Sequence, residues 1–292
     1  MKGLQELIGW HIHHKERLLY KSNANPPTIR LKFFQYPTYH QTVKIDRFPQ
    51  QCKLKVKGDN SFFIYKDKAR TKGTISLERI ITVIPTPSFV NPKDDWGKIS
   101  NFPRVLQQKY QQSSRYWPLK SILLHDISKQ EWFKTDDIFR WVQSAYRYIT
   151  AKIKYREKQE KRWGADRAFL TGVGDCDEFT DLFVTFARMR GIPCRRLTGY
   201  FITKNGASVE AHAWAEILSP KGKWIIVDIA LNNIGNHSIN YVILKIEEFN
   251  PALPDYQIET GRSSAIHYRW ERPTPIITPV IIDRSQKNEH TI

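Results

Sequence analysis

The sequence predicts an α+β protein in which a helix beginning at a cysteine packs on an antiparallel sheet, preceded by a small β-rich domain. Three observations lead there. From Thr28 to Pro87 the chain runs in short β-rich stretches broken by turn-forming pieces, the pattern of a small antiparallel unit. After about residue 100, apolar residues recur at helical spacing instead. Further on, VEAHAWAEI and WIIVDIA each alternate with a period of two on either side of SPKGK, as paired strands joined by a turn do.

Taken in order, residues 1–20 carry Leu4, Leu7, Ile8 and Leu18 near helical spacing, which predicts a short leading helix. TIRLKFF, QTVKI, CKLKVK, SFFIY and SLERIITVI follow as strands, with GDN and TKG as turns. In CKLKVK the lysines alternate with Leu54 and Val56, which reads as a half-buried strand. The proline-containing, polar stretch TPSFVNPKDDWGKISNFP reads as the connection to the second part. The expected organisation is an N-terminal domain over 1–100, a core over 101–260 and a partly flexible extension over 261–292, polar and frayed after about Asp283. Thr135 or Asp136 can cap a helix whose Ile138, Trp141, Val142, Ala145, Tyr148 and Ile149 share a face. A second helix starts at Cys176: Phe179, Leu182, Phe183, Phe186 and Ala187 recur at helical spacing, Gly191 suits the C′ position and Pro193 stops it.

Composition narrows the classes of function. With 292 residues and 40% hydrophobic content, the chain can bury a core without disulfides or structural metals. Cys52, Cys176 and Cys194 are too scattered for a disulfide framework, and no CxxC pair suggests zinc. The first twenty residues are broken by Glu6, Lys15, Glu16 and Arg17, unlike a signal peptide, and no apolar run reaches the roughly 18 residues of a membrane span. A cytoplasmic location without membrane contact is the expectation. The formal charge of +17 reads first as a solvated basic surface; no nucleic-acid motif accompanies it, and an anionic partner such as nucleic acid stays open. His11, His13 and His14 lack a carboxylate or cysteine at ligand spacing, so neither a metal nor a cofactor is expected.

The chemistry concentrates in three places. Cys176 follows a glycine-containing loop and opens a helix, where unpaired N–H groups favour a thiolate and can hold an oxyanion. Gly172 and Gly174 would let a substrate approach. His212 lies on the polar face of its strand with Glu210, Trp214 and Glu216. In the hairpin, Asp228 falls opposite or diagonal to His212 and can orient its ring. Each has an ordinary alternative, as a core thiol, a satisfied polar group and a turn former. Nucleophile, base and orienting carboxylate together are what acyl transfer needs.

GVGDCDEF, ARMRGIPCR, the Gly199-Tyr200 pair, HAWAEI and W-IIVD stand in this order and resemble the transglutaminase-like superfamily over roughly residues 135–235. The resemblance implies a papain-like α+β core and a catalytic triad of Cys176, His212 and Asp228. It further implies a peptide or protein substrate, attacked at a peptide or glutamine-type amide. A cysteine peptidase or amidase is the favoured expectation, with a protein-crosslinking transglutaminase and a non-catalytic basic binding module as alternatives. The zinc-binding cysteine pairs of the peptide N-glycanase branch are missing. Cys194, after Gly-Ile-Pro, and Ile229-Ala230, after the aspartate, depart from the usual pattern and bear on specificity. Trp163 reads as packing and is left out of the site; Cys52 and Cys194 read as inert thiols.

Overall fold

A computed structural model describes residues 5–22, 28–68, 72–91, 96–156, 161–203, 206, 208–249, 256–260 and 266–283. In chain order the strands of the first part are β1 Gln5–Ser22, β2 Thr28–Gln35, β3 Gln41–Arg47, β4 Cys52–Lys57, β5 Asn60–Lys68, β6 Lys72–Pro85 and the short β7 Ser88–Phe89. Four helices follow: α1 Arg104–Tyr110, α2 Ile122–His125, α3 Glu131–Lys134 and α4 Ile138–Lys152. After them come β8 Lys154–Tyr155, α5 Ala165–Thr171, β9 Val173–Gly174 and α6 Cys176–Met189. The remaining strands are β10 Cys194–Ile202, β11 Val209–Leu218, β12 Trp224–Asp228, β13 Asn233–Ile234, β14 Asn236–His237, β15 Tyr241–Glu247, β16 Tyr256–Thr260, β17 Ile266–Glu271 and β18 Ile276–Asp283.

β1 replaces the expected leading helix. Trp10, Ile12, His14, Glu16, Leu18 and Tyr20 are buried, and their neighbours from His11 to Leu19 are exposed or half-buried, so the true period is two. Polar residues at two of the six inward positions hid that period. Both are partnered: His14 Nε2 meets the Tyr36 hydroxyl at 2.7 Å, and Glu16 accepts from Arg79 at 3.0 Å. CKLKVK also departs from expectation. It forms β4, at the edge of its sheet among the described residues, and Leu54 and Val56 are 50% and 64% exposed.

Two antiparallel sheets make the N-terminal unit. One runs β17-β1-β6-β3, with β18 on the first half of β1, and the other runs β16-β2-β5-β4. Leu18, Leu31, Phe33, Phe63 and Leu77 fill the space between them. The stretch expected as an extension therefore contributes structure, since β17 and β18 complete the first sheet; residues after Asp283 lie outside the described residues.

The second part is built on a five-stranded antiparallel sheet, β13-β12-β11-β10-β15, with α6 packed on β11 and β10. Phe179, Leu182, Phe183, Phe186 and Ala187 of α6 meet Trp141, Val142 and Ala145 of α4 and Ala215, Ile217 and Val227 of the sheet. Each of these large side chains contributes about 1.5–3 kcal/mol by leaving water. Trp10, Ile12, Ile81 and Val83 of the first sheet cover Ile202 and Val242 of this one. The helix ends are set locally. Asp137, one residue beyond the expected cap, accepts from Arg140 N at 2.8 Å, because Asp136 is taken by Ser100. α6 closes on Gly191 at φ 84°, with Ile192 N–H on Ala187 O and Gly191 N–H on Arg188 O, the paired bonds of a left-handed cap. Among the described residues no helix is long and apolar enough to cross a membrane.

Candidate active site

Cys176 is the first residue of α6, and the turn before it is held by its own side chains. Asp175 caps the helix, accepting from Asp177 N at 2.9 Å, and Glu178 closes the reciprocal half of the box by accepting from Asp175 N at 3.1 Å. The other Glu178 oxygen accepts from Trp163 N at 2.7 Å, so one buried carboxylate ties the 163 loop to the cysteine loop. Gly174 makes room for this clamp: a Cβ there would lie 2.4 Å from Glu178 Cβ. Gly172 sits at φ 70° as the left-handed cap of α5.

His212 and Asp228 are in direct contact. The ladder sets Ala215 opposite Val227, which puts Asp228 diagonal to His212, and His212 Nε2 lies 2.7 Å from Asp228 Oδ2. The Tyr241 hydroxyl donates to the same oxygen at 2.8 Å and Leu231 N to Oδ1 at 3.1 Å. Asn233 Nδ2 in turn donates to the Tyr241 oxygen at 2.9 Å. From His212 onward the face expected to be polar is instead a second buried layer, with His212 stacked on Trp214 and edge-on to Phe201. Glu216 in that layer pairs with Arg195 at 2.9 Å.

Cys176 meets the strand of His212 through the backbone, for Ala213 N–H, next in the chain to His212, donates to its sulfur. The thiol is not activated by its helix in the way the sequence suggests. Burial first, then Asp177 and Asp175, push its pKa up to about 12 against the smaller lowering by Ala213 N–H and Arg196. Burial and the two carboxylates thus set the direction of the shift. Burial likewise raises Glu178 to about 7.

Behind the cysteine lies a charged layer that no sequence motif announces. Arg196 on β10 pairs with Asp177 and with Glu247 of β15. Arg162 reaches Asp181 of α6 at 2.5 Å and Glu247 at 3.1 Å, and Trp117 Nε1 donates to Asp181 at 2.8 Å. Helix, sheet and the 162–163 loop are thereby held in one register.

Residues 128–229 match the family model of the transglutaminase-like superfamily. This segment is a transglutaminase-like core. It runs from the turn before α3 to the residue after Asp228 and so contains all three candidate residues. YebA of Bacillus subtilis (strain 168), an uncharacterised protein, is 30% identical over 94 residues, which are 28% of this chain and 13% of YebA. The chain therefore spans a small part of that relative. Among solved structures, a candidate cysteine protease from Cytophaga hutchinsonii shares the fold with a TM-score of 0.56 at 16% identity, over 95% of this chain and 99% of its own.

Around the transglutaminase-like core the other singled-out residues have structural partners. Cys194 and Cys52 are buried thiols, raised by that burial to about 12 and about 11. His11 meets Thr82 at 2.9 Å and His13 meets Glu78 at 2.7 Å, on the face of β1 opposite His14. Ligand atoms of Asp175, Cys176 and Asp177 lie within 4.8 Å of one another, but the two carboxylates already serve as helix cap and ion-pair partner. Trp163 contributes its backbone N–H to Glu178, and its ring lies under Arg167 at 4.1 Å. Tyr241 and Glu178 were not singled out from sequence. Glu178 had a signal, standing three residues after the Asp175 cap; Tyr241 comes from a distant strand and had none.

Proposed function

We propose that the chain is a thiol-dependent acyl-transfer enzyme acting on peptide or glutamine-type amides, with Cys176 as nucleophile, His212 as base and Asp228 as the group that orients it. The observation that carries this reading is the Asp228-held imidazole adjoining the residue whose N–H touches the Cys176 sulfur. With Nε2–H donated to Asp228, Nδ1 keeps its lone pair for the thiol proton. The thiol of the free enzyme is protonated, so His212 takes the proton as sulfur attacks the amide carbonyl. Asp175 occupies the N–H groups of Asp177 and Glu178, which leaves that of Cys176 itself to meet the developing oxyanion. Collapse of the tetrahedral intermediate breaks the C–N bond, the amine departs with the proton from His212, and a thioester remains. Water, deprotonated by His212, then releases the acid; an amine in its place would give a new amide.

Hydrolysis is favoured over crosslinking, and the same assay separates them. A complex peptide library is incubated with the protein, with and without a fluorescent primary amine, and read by mass spectrometry. New termini report peptidase action, the small mass gain of deamidation, as water replaces ammonia, reports amidase action, and amine adducts at glutamine report crosslinking. All should vanish in Cys176→Ala; products that persist undiminished in that variant would sink the proposal.

A further inference from the structure

The second sheet ends on β4, which pairs only with β5 among the described residues, so its other edge turns N–H and C=O groups outward. The two faces of β4 differ. Lys53, Lys55 and Lys57 are exposed on one, and Lys32 of β2 lies on the same face, its ammonium 4.1 Å over the Phe62 ring. The Lys32 pKa is lowered by partial burial and then by repulsion from Lys57 and Lys55, so these cations crowd one another. The strand registers place one acid on that face, Glu259, and it is paired with Arg30. The opposite face carries Leu54 and Val56, half or more exposed, and Phe48, 43% exposed and stacked on the Phe63 ring beside Leu54.

We infer that the free edge of β4 takes up an extended acidic segment of a partner protein as an added strand. Its carboxylates would lie over Lys53, Lys55 and Lys57, and its alternate apolar residues beside Leu54 and Val56. Strand addition supplies main-chain hydrogen bonds, and alternation lets one segment satisfy both faces. Lysines on an edge often serve only to discourage pairing, but that role does not require two branched apolar side chains in water on the other face. A second copy of this chain is disfavoured, since β4 paired antiparallel with itself sets lysine against lysine. Nucleic acid is disfavoured as well: Phe34 and Phe62, the rings on the lysine face, are 4% and 5% exposed and offer no surface for base stacking.

The test uses the full chain carrying Cys176→Ala, so that its outcome is independent of acyl transfer. Fluorescein-labelled peptide of alternating valine and glutamate is titrated by anisotropy at low salt and near-neutral pH. Its binding should weaken by about tenfold or more in the Lys53→Glu, Lys55→Glu, Lys57→Glu variant, whose melting temperature is checked alongside. The same loss is expected when alternate residues of the peptide are N-methylated, which blocks ladder pairing without touching the protein. A valine–lysine peptide should bind the charge-reversed variant in its place. Equal binding of the N-methylated peptide would reduce the site to simple charge attraction, oligo-dT binding as tightly as the peptide would redirect it to nucleic acid, and no binding at millimolar peptide would end it.

Discussion

Asp177→Asn should make Cys176 more reactive toward alkylation, the reverse of what damage to an active-site neighbour ordinarily does. The Cys176 thiol is held up to about 12, against about 8.5 for a free cysteine, so about 3,000-fold less thiolate is present at neutral pH. Asp177 supplies part of this, its carboxylate oxygen lying no more than 4.8 Å from the sulfur. At that separation an effective dielectric of about 20 gives about 3.5 kcal/mol, or about 2.5 pH units. Pairing with Arg196 cancels some of that field, so the expected fall in pKa is about one to two units. Asparagine also frees Arg196 charge near the sulfur, which acts in the same direction. A lower pKa makes the thiolate less nucleophilic as well as more abundant, leaving a net rise of about three- to tenfold in the iodoacetamide rate near pH 8. The assay is timed iodoacetamide labelling across pH followed by peptide mapping, with buried Cys52 and Cys194 as internal references. A rate unchanged or lower in Asp177→Asn, or a native Cys176 that outruns free cysteine at pH 6, would refute the reasoning; the second result would mean a standing thiolate–imidazolium pair.

The remaining predictions concern the base, the fold and the clamp. Asp228→Asn preserves shape but turns an amide toward His212, and amide turnover should drop by about 10⁴-fold with an unchanged circular dichroism spectrum; a drop below about tenfold would remove Asp228 from the mechanism. Buried His237 is lowered to about 4, by burial and then by His40, and buried His14 is lowered as well, by burial and then by Arg79. Both are neutral in the fold and take up protons on unfolding below about pH 6.5. Stability present above that pH is therefore lost as pH falls toward 4, and thermal melts should show His237→Phe flattening the decline. Gly174→Ala forces a methyl against Glu178 and should cost about 1–3 kcal/mol in denaturant unfolding; a neutral result would mean the Glu178 clamp is loose.

Where the sequence was legible, local chemistry decided the structure. α6 was readable at both ends because its apolar face, Gly191 and Pro193 all agree, and the β11–β12 hairpin was readable because alternation and its turn agree. The pairing of His212 with Asp228 followed from that hairpin alone. The failures have a common cause, which is that a neighbour distant in sequence overrode the local pattern. β1 looked helical because His14 and Glu16 are buried only by virtue of Tyr36 and Arg79. β4 looked half-buried because nothing in CKLKVK records that, among the described residues, it is the edge of its sheet. The raised thiol pKa needed the burial of Cys176, which helix position cannot supply. Tyr241 reaches Asp228 only because β15 folds back beside β10.

The charged layer behind Cys176 gives the raised thiol a structural reason. Buried ion pairs add little net stability, since desolvation offsets most of the attraction, so Arg162, Arg196, Asp181 and Glu247 are poorly explained as reinforcement of an already apolar core. What they fix is position: Arg196 holds Asp177, one residue after Cys176, while Arg162 anchors the loop whose Trp163 N–H binds Glu178. The same arrangement that sets the sulfur in place also surrounds it with carboxylate charge. In the proposed mechanism a thiol so placed reacts as a base accepts its proton and a bond forms. The reactivity of Cys176 would then belong to a pair with His212, and the helix N-terminus would contribute chiefly through its free N–H.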